Sequence, residues 1–185
     1  MRTFIAINLN PEIKKTLIQL IKELDTGNRS IKWVAEQGMH LTLKFLGEID
    51  REKVAQIKNV LKRILDEYRP FSLRFKGTGS FPPGKKAARV LWVGIEEEES
   101  LERLQSELEA ELEKIGFPKE ERRFHPHLTL GRVKFPSGLG QTLSLLEKYK
   151  DQTFGEMKVE KITFFQSILK PTGAEYSILS EFELR

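Results

Sequence analysis

The tetrapeptide His40-Leu41-Thr42-Leu43 occurs a second time in this chain, as His127-Leu128-Thr129-Leu130. The two copies hold two of the 3 histidines found among 185 residues. Apolar and polar residues alternate through each copy, a pattern that predicts β-strands over 40–46 and 127–133. Alternate side chains share one face of a strand, so each histidine lies beside its threonine while the leucines point into the core. The repeat predicts two similar halves whose motifs face each other across one cleft.

Strand and helix patterns alternate through the rest of the chain. Further strands are predicted at 3–9, 71–75, 90–95, 153–169 and 175–184. Helices are predicted from Asn10 to Gly27, from Asp50 to Tyr68, from Ser100 to Gly116 and around 139–149. Helices beside mainly antiparallel strands define an α+β fold. No stretch has the composition of a linker, so we expect residues 1–185 to form one domain of two pseudo-symmetric lobes, each with one motif.

Composition excludes several kinds of chemistry. Because the chain has no cysteine, it forms no disulfide, thiolate nucleophile or cysteine zinc site. Its 31 basic and 27 acidic residues give a net charge of +4, which permits a nucleic-acid partner. No apolar run approaches the roughly 18–20 residues of a membrane helix, and residues 1–7 are typical of a strand rather than a signal peptide. We therefore expect a cytoplasmic protein with no membrane partner.

Two opposed histidines are suited to displacement at phosphorus. A neutral imidazole can take a proton from the attacking hydroxyl, while an imidazolium protonates the departing oxygen. The ordinary imidazole pKa of about 6.5 allows both forms near neutral pH. The hydroxyls of Thr42 and Thr129 can donate hydrogen bonds to the non-bridging phosphate oxygens as charge develops. This chemistry requires neither a metal ion nor another cofactor, and the symmetry of the repeat leaves open which histidine is the acid.

With both motifs in place, the sequence resembles the two-histidine phosphoesterases, and most closely the bacterial and archaeal RNA 2′,3′-cyclic phosphodiesterases, also called 2′–5′ RNA ligases. The resemblance covers essentially the whole chain. Besides the motifs, it rests on the segments 2–6, 77–82, 90–94 and 126–132 and on Gln166, Ser167 and Tyr176. It implies a bilobal fold with pseudo-twofold symmetry, in which two mainly antiparallel sheets line a central cleft and the helices lie outside.

The resemblance also implies an activity and roles for residues. The enzyme would hydrolyse RNA ending in a 2′,3′-cyclic phosphate to a 2′-phosphate, without a metal ion. His40 would be the proton donor and His127 the proton acceptor. Arg132 matches a basic residue that the family carries five positions after its second histidine, and its guanidinium suits phosphate by bidentate geometry.

Strict alternation raises a difficulty for Arg132, because it points this side chain away from His127. A bulge at Gly131 would turn it back toward the cleft. Phe45 occupies the equivalent position in the first half, where it can either stack on a base or pack in the core. Lys44 shares the cleft-side face of its strand with His40 if the alternation is unbroken, although the default expectation for such a lysine is a solvated side chain.

Basic residues outside the motifs add weaker candidates. Lys85 and Lys86, in the loop 82–86, are expected to contact substrate, and Arg122 and Arg123 precede the second motif. His125 with His127 forms a pair that can bind a metal, but no cysteine or obvious carboxylate completes such a site, so we expect none.

The expected partners are RNA with 2′,3′-cyclic phosphate ends, including tRNA fragments, or small cyclic-phosphate nucleotides. We expect a monomer. Two other functions stay open: a 2′–5′ RNA ligase or small-nucleotide phosphodiesterase, and a non-catalytic module that binds RNA ends. Two intact copies of the motif favour catalysis, since a binding module has no need of two titratable histidines.

Overall fold

The structure is a computed structural model, and it describes residues 1–84 and 87–185. The strands along these residues are β1 (Arg2–Asn8), β2 (Ile31–Trp33), β3 (His40–Glu48), β4 (Phe71–Phe81), β5 (Val90–Ile95), β6 (His127–Val133), β7 (Thr153–Val159), β8 (Lys161–Lys170) and β9 (Gly173–Glu183). The helices are α1 (Pro11–Leu24), α2 (Arg51–Leu65), α3 (Glu99–Glu113) and α4 (Gly140–Lys148). A short 3-10 turn spans Glu36–Gly38.

The strands form two antiparallel sheets that repeat one arrangement. Sheet A has the order β3-β1-β8-β9, and sheet B has the order β2-β6-β5-β4-β7. If β2 is set aside, each strand of sheet A has a counterpart at the same place in sheet B, with β3 matching β6 and β1 matching β5. The predicted α+β fold with two mainly antiparallel sheets and pseudo-twofold symmetry is confirmed.

The helices cover the outer faces and connect the two halves. Helix α1 follows a strand of sheet A but packs on β7 of sheet B, whereas α3 follows a strand of sheet B and packs on β3 of sheet A. Motif leucines such as Leu41 and Leu128 are buried beneath the sheets among the helix leucines. The crossing fixes the two sheets, and therefore the two motifs, relative to each other. None of the described helices is long and apolar enough to cross a membrane.

Helix ends follow local hydrogen bonds rather than the predicted residues. Helix α1 begins as predicted, with the Asn10 side chain accepting a bond from the backbone N–H of Ile13 at 2.8 Å. It ends at Leu24 rather than Gly27, because the Asp25 carboxylate accepts from the Gly27 N–H and closes a separate turn. Helix α3 begins one residue before the predicted Ser100. Its cap is Glu98, whose carboxylate accepts from the Ser100 N–H at 2.9 Å.

The prediction of a single strand over 153–169 is wrong. The chain forms two strands there, β7 and β8, and they belong to different sheets because it crosses from one to the other at Glu160. Strand β4 extends to Phe81, beyond the predicted 71–75, because it pairs with β7 on one side and β5 on the other. Strand β2 is only three residues long and was not predicted.

Candidate active site

A cavity of about 960 Å³ lies between the two sheets, and both motifs line it. Strand β3 contributes His40 and Thr42. Strand β6 contributes His127, Thr129 and Arg132. The structure therefore brings the five residues predicted for catalysis and phosphate binding into one cleft.

His40 lies in an aromatic surround. Its ring stacks on Phe4, with centroids 4.8 Å apart, and on Phe165 at 5.5 Å. Tyr176 approaches it edge-on at 5.0 Å. Burial among these rings, with a smaller contribution from the charge of Lys14, lowers the pKa of His40 from 6.5 to about 4. Burial thus favours a neutral imidazole at this position.

His127 is held by a hydrogen bond instead. Its Nδ1 lies 2.5 Å from the backbone carbonyl oxygen of His125, so Nδ1 carries the proton and donates it. The Phe81 ring packs edge-on against the imidazole, with centroids 5.0 Å apart. Burial lowers the pKa of His127 below 6.5, and the charges of Arg132 and His125 lower it further, against an opposing contribution from the hydrogen bond. The neutral ring therefore has its lone pair on Nε2.

The two motif threonines are free to bind a ligand. Thr42 and Thr129 are half-buried and line the cavity. Neither hydroxyl has a hydrogen-bond partner among residues 1–84 and 87–185. A donor that is partly removed from water and has no protein acceptor is well placed for an oxyanion.

A β-bulge in each motif decides which later side chains reach the cleft. In the first motif, Leu43 has no partner on β1, because Ile5 pairs with Lys44 and Ala6 with Thr42. In the second motif, Leu130 is the unpaired residue on β6. One extra residue reverses the alternation of every side chain that follows it.

The bulges place Arg132 and Phe45 on the cleft side. Arg132 is exposed and lines the cavity, so the bulge proposed near Gly131 is present and lies one residue earlier, at Leu130. Phe45 also lines the cavity, and its side chain is 60% exposed. Core packing of Phe45, one of its two expected roles, is therefore excluded.

The expectation for Lys44 is wrong for the same reason. The bulge turns this side chain into the protein, where its Nζ lies 2.6 Å from Glu109 Oε2 and 2.8 Å from the carbonyl oxygen of Pro118. The Lys44 side chain is 1% exposed and that of Glu109 is 9% exposed. Gly131 takes the corresponding place in the second half. There a Cβ would lie 2.9 Å from both Ile31 and Trp33, so β2 packs against bare backbone.

The sequence offers three further candidates, Lys85, Lys86 and His125. Lys85 and Lys86 lie outside the residues that the structure describes, so their expected contacts with substrate stay predictions. His125 lines the cavity beside His127. Among the described residues, these two histidines are not joined by a third His, Asp or Glu that could hold a metal with them.

Sequence reasoning missed the aromatic surround of His40. Phe4 and Phe165 are opposite each other on β1 and β8, two strands that are far apart in the chain. Phe4 has the alternation of a cleft-facing residue, but nothing local shows that β8 pairs with it. Tyr176 reaches the same cluster from β9.

Comparison with known proteins agrees with this architecture. The family model of the 2′-5′ RNA ligase superfamily matches residues 9–168. An RNA 2′,3′-cyclic phosphodiesterase of Archaeoglobus fulgidus is 38% identical over 184 residues, covering 99% of this chain and 100% of its own length. One of Thermotoga maritima is 40% identical over 183 residues, covering 98% of this chain and 94% of its own.

Solved structures show the same fold. A crystal structure from Thermus thermophilus superposes with a TM-score of 0.85 at 32% identity, over 100% of this chain and 98% of that one. E. coli LigT complexed with 3′-AMP gives a TM-score of 0.82 at 25% identity, over 99% and 97%. The fold is that of the phosphoesterases with two histidines, and the cleft of this chain holds two histidines. The chain belongs to the 2′-5′ RNA ligase superfamily, and it is a phosphoesterase of that family.

Proposed function

We propose that this enzyme hydrolyses the 2′,3′-cyclic phosphate at RNA ends to a 2′-phosphate, with His127 as the base and His40 as the acid. The observation that carries the proposal is the pairing of two unlike histidines across one cleft. His127 has its Nδ1 fixed by a backbone carbonyl, and His40 is enclosed by aromatic rings. The names of the relatives from A. fulgidus and T. maritima support the choice of substrate.

The hydrogen bond of His127 suits it to the role of base. Because Nδ1–H donates to His125, the neutral ring presents an unprotonated Nε2. The lowered pKa keeps this ring neutral near physiological pH. The same bond stabilises the imidazolium once Nε2 has taken a proton, so the ring keeps its orientation during the reaction.

His40 suits the role of acid only when substrate is present. Its pKa of about 4 disfavours the imidazolium when no anion is bound. A phosphate anion bound beside the ring favours the charged form and raises the pKa. The stacked faces of Phe4 and Phe165 also attract a cation. Substrate binding thus charges the residue that must later give up its proton.

The reaction is a displacement in line at phosphorus. A water oxygen forms the new P–O bond and loses its proton to His127 Nε2, while the bond from phosphorus to the ribose 3′ oxygen breaks and His40 protonates that oxygen. Thr42, Thr129 and Arg132 bind the non-bridging oxygens, in place of a metal ion or other cofactor. The product keeps its phosphate on the 2′ oxygen.

The proposal also covers ligation, the RNA substrates, the oligomeric state and the location of the enzyme. If the 5′-hydroxyl of a second RNA takes the place of water, the same groups form a 2′–5′ bond, in keeping with the description of the family. We propose RNA fragments, including those of tRNA, as substrates, and a monomer acting in the cytoplasm.

The product of a cyclic-phosphate dinucleotide, followed by phosphorus NMR in excess EDTA, tests the proposal. We expect a 2′-phosphate and no loss of rate on chelation. A predominant 3′-phosphate would keep the acid–base pair but reverse the assignment of the leaving oxygen. Loss of activity on chelation, restored by zinc or manganese, would overturn the metal-independent mechanism and favour a metal at His125 and His127.

A further inference from the structure

The cleft carries more positive charge than a single terminal phosphate needs. Five arginines line it: Arg2, Arg89, Arg122, Arg123 and Arg132. Within residues 1–84 and 87–185, none of these five has a carboxylate within 4.0 Å. Arginines outside the cleft, such as Arg63 and Arg74, do have carboxylate partners. One carboxylate, that of Glu120, lines the cleft in the same described residues. Arginine fits phosphate well, so this excess favours a ligand with several phosphates.

Arg122 and Arg123 lie on a segment that the buried ion pair fixes in place. Residues 114–126 form no helix or strand between α3 and β6. Lys44 nevertheless donates to the Pro118 carbonyl at 2.8 Å, and Glu109 Oε2 accepts from the Glu120 N–H at 3.1 Å. Since Lys44 is two residues beyond Thr42 on β3, the strand of the first motif holds the segment that leads to the second.

The cleft continues past this segment into a second groove of about 510 Å³. Residues 45–47 of β3 line one side of the groove, and residues 118–122 line the other. Three residues, Phe45, Glu120 and Arg122, border both the groove and the cleft, so they form the passage between them. Lys119 and Glu121 line the groove beyond this passage, where their opposite charges offset each other.

We infer that Arg122 and Arg123 form a second phosphate subsite, which binds the phosphodiester backbone of the RNA strand that ends in the cyclic phosphate. The strand leaves the cleft between Phe45 and Arg122, with a base able to stack on the exposed ring and a phosphate on the guanidinium. The inference rests on the proposed function and adds to it that the enzyme selects oligonucleotide ends over cyclic mononucleotides.

The test compares kcat/KM on two substrates, a 2′,3′-cyclic mononucleotide and a hexanucleotide ending in a 2′,3′-cyclic phosphate. The wild-type enzyme should prefer the hexanucleotide by at least about 10-fold. Arg122→Ala/Arg123→Ala should lose most of this preference and change kcat/KM on the mononucleotide by less than about 2-fold. The salt dependence on the hexanucleotide should also weaken, by about 0.7 in log–log slope for each phosphate that an arginine no longer neutralises.

Arg51→Ala/Arg69→Ala is the matched control, since it removes two exposed arginines that do not line the cleft. This control should leave the preference for the hexanucleotide unchanged. If it loses as much of the preference as the Arg122/Arg123 variant does, the preference comes from general electrostatic attraction of RNA rather than from a subsite. Lys44→Met/Glu109→Leu, confirmed as folded by its melting curve, should also lose the preference because the segment is released. No preference in the wild type, or an equal loss on both substrates for the Arg122/Arg123 variant, would overturn the subsite. If the wild type hydrolyses neither substrate, the proposed function itself is wrong.

Discussion

Phe45 and Arg132 occupy equivalent positions in the two halves, each two residues beyond an unpaired motif leucine, and both face the cleft. An aromatic ring on one wall therefore stands where the other wall has a guanidinium. The walls differ in the same sense elsewhere, since three aromatic rings surround His40, whereas His127 has one ring beside it and is affected by the charge of Arg132. A pseudo-symmetric fold thus carries an asymmetric site, which a reaction with one acid and one base requires.

This asymmetry predicts different kinetic effects for the two residues. Arg132→Ala should lower kcat by about 10²-fold, because it removes a donor to the charge that develops on phosphorus, and Arg132→Lys should recover only part of the loss. Phe45→Leu should raise KM for an RNA substrate and leave kcat nearly unchanged, since stacking affects ground state and transition state alike. Steady-state kinetics of the three variants measure both effects. A fall in kcat for Phe45→Leu as large as that for Arg132→Ala would contradict the division of roles.

Replacement of either histidine should remove one half of the acid–base pair. We expect His40→Ala and His127→Ala each to lower kcat by at least about 10²-fold, with the fold intact by circular dichroism. The double variant should be much less impaired than the product of the two single effects, because the pair acts as a unit. Wild-type turnover in either single variant would refute the mechanism, and His125→Ala, which alters the neighbouring histidine, serves as the control.

The pH dependence follows from the two lowered pKa values. In the free enzyme, His40 must be protonated with a pKa of about 4 and His127 neutral with a pKa below 6.5, so kcat/KM should follow a bell with its maximum on the acid side of neutral. In the complex, the bound phosphate raises both values, and the maximum of kcat should lie at higher pH. Profiles from pH 3.5 to 10 report apparent values that belong to the pair. A rate that rises steadily to pH 10 would exclude this mechanism.

The sequence predicted the site more fully than its surroundings because the chemistry is local and the surroundings are not. The alternation around His40 and His127 identified both strands and the face that each motif presents. Gly131 indicates the bulge of the second motif, but the bulge of the first depends on pairing with β1, which no local pattern reveals, so strict alternation puts Lys44 on the wrong face. Glu160 divides a continuous strand pattern between two sheets without a glycine or proline to mark the break. In both cases the structure is determined by pairing between strands rather than by the local propensity of the residues.

The environment of His40 also links stability to pH. Folding lowers the pKa of His40 from 6.5 to about 4. Between these two pH values, the histidine is protonated in the unfolded chain and neutral in the folded protein. Stability from this group is therefore present above pH 6.5 and is lost as the pH falls toward 4. The free energy of unfolding should fall by about 2 kcal/mol more between pH 7 and pH 5 in the wild type than in His40→Asn. Urea unfolding of both proteins at both pH values measures this difference, and an equal fall in the two would contradict the lowered pKa.

The buried pair of Lys44 and Glu109 should matter to stability in a way that surface pairs do not. Lys44→Met leaves Glu109 without its cation while the carboxylate stays largely out of water. The free energy of unfolding should therefore fall by about 3–5 kcal/mol. Lys44→Met/Glu109→Leu should recover much of this loss by replacing the pair with apolar packing, although the Pro118 carbonyl and the Glu120 N–H lose their partners. Lys62→Met, which breaks an exposed pair with Asp66 on α2, should cost no more than about 0.5 kcal/mol. Urea denaturation of the four proteins at pH 7 gives the comparison. If Lys44→Met is as stable as Lys62→Met, the Glu109 carboxylate finds water or another donor once Lys44 is gone. The ion pair would then not be what holds the 118–120 segment against β3.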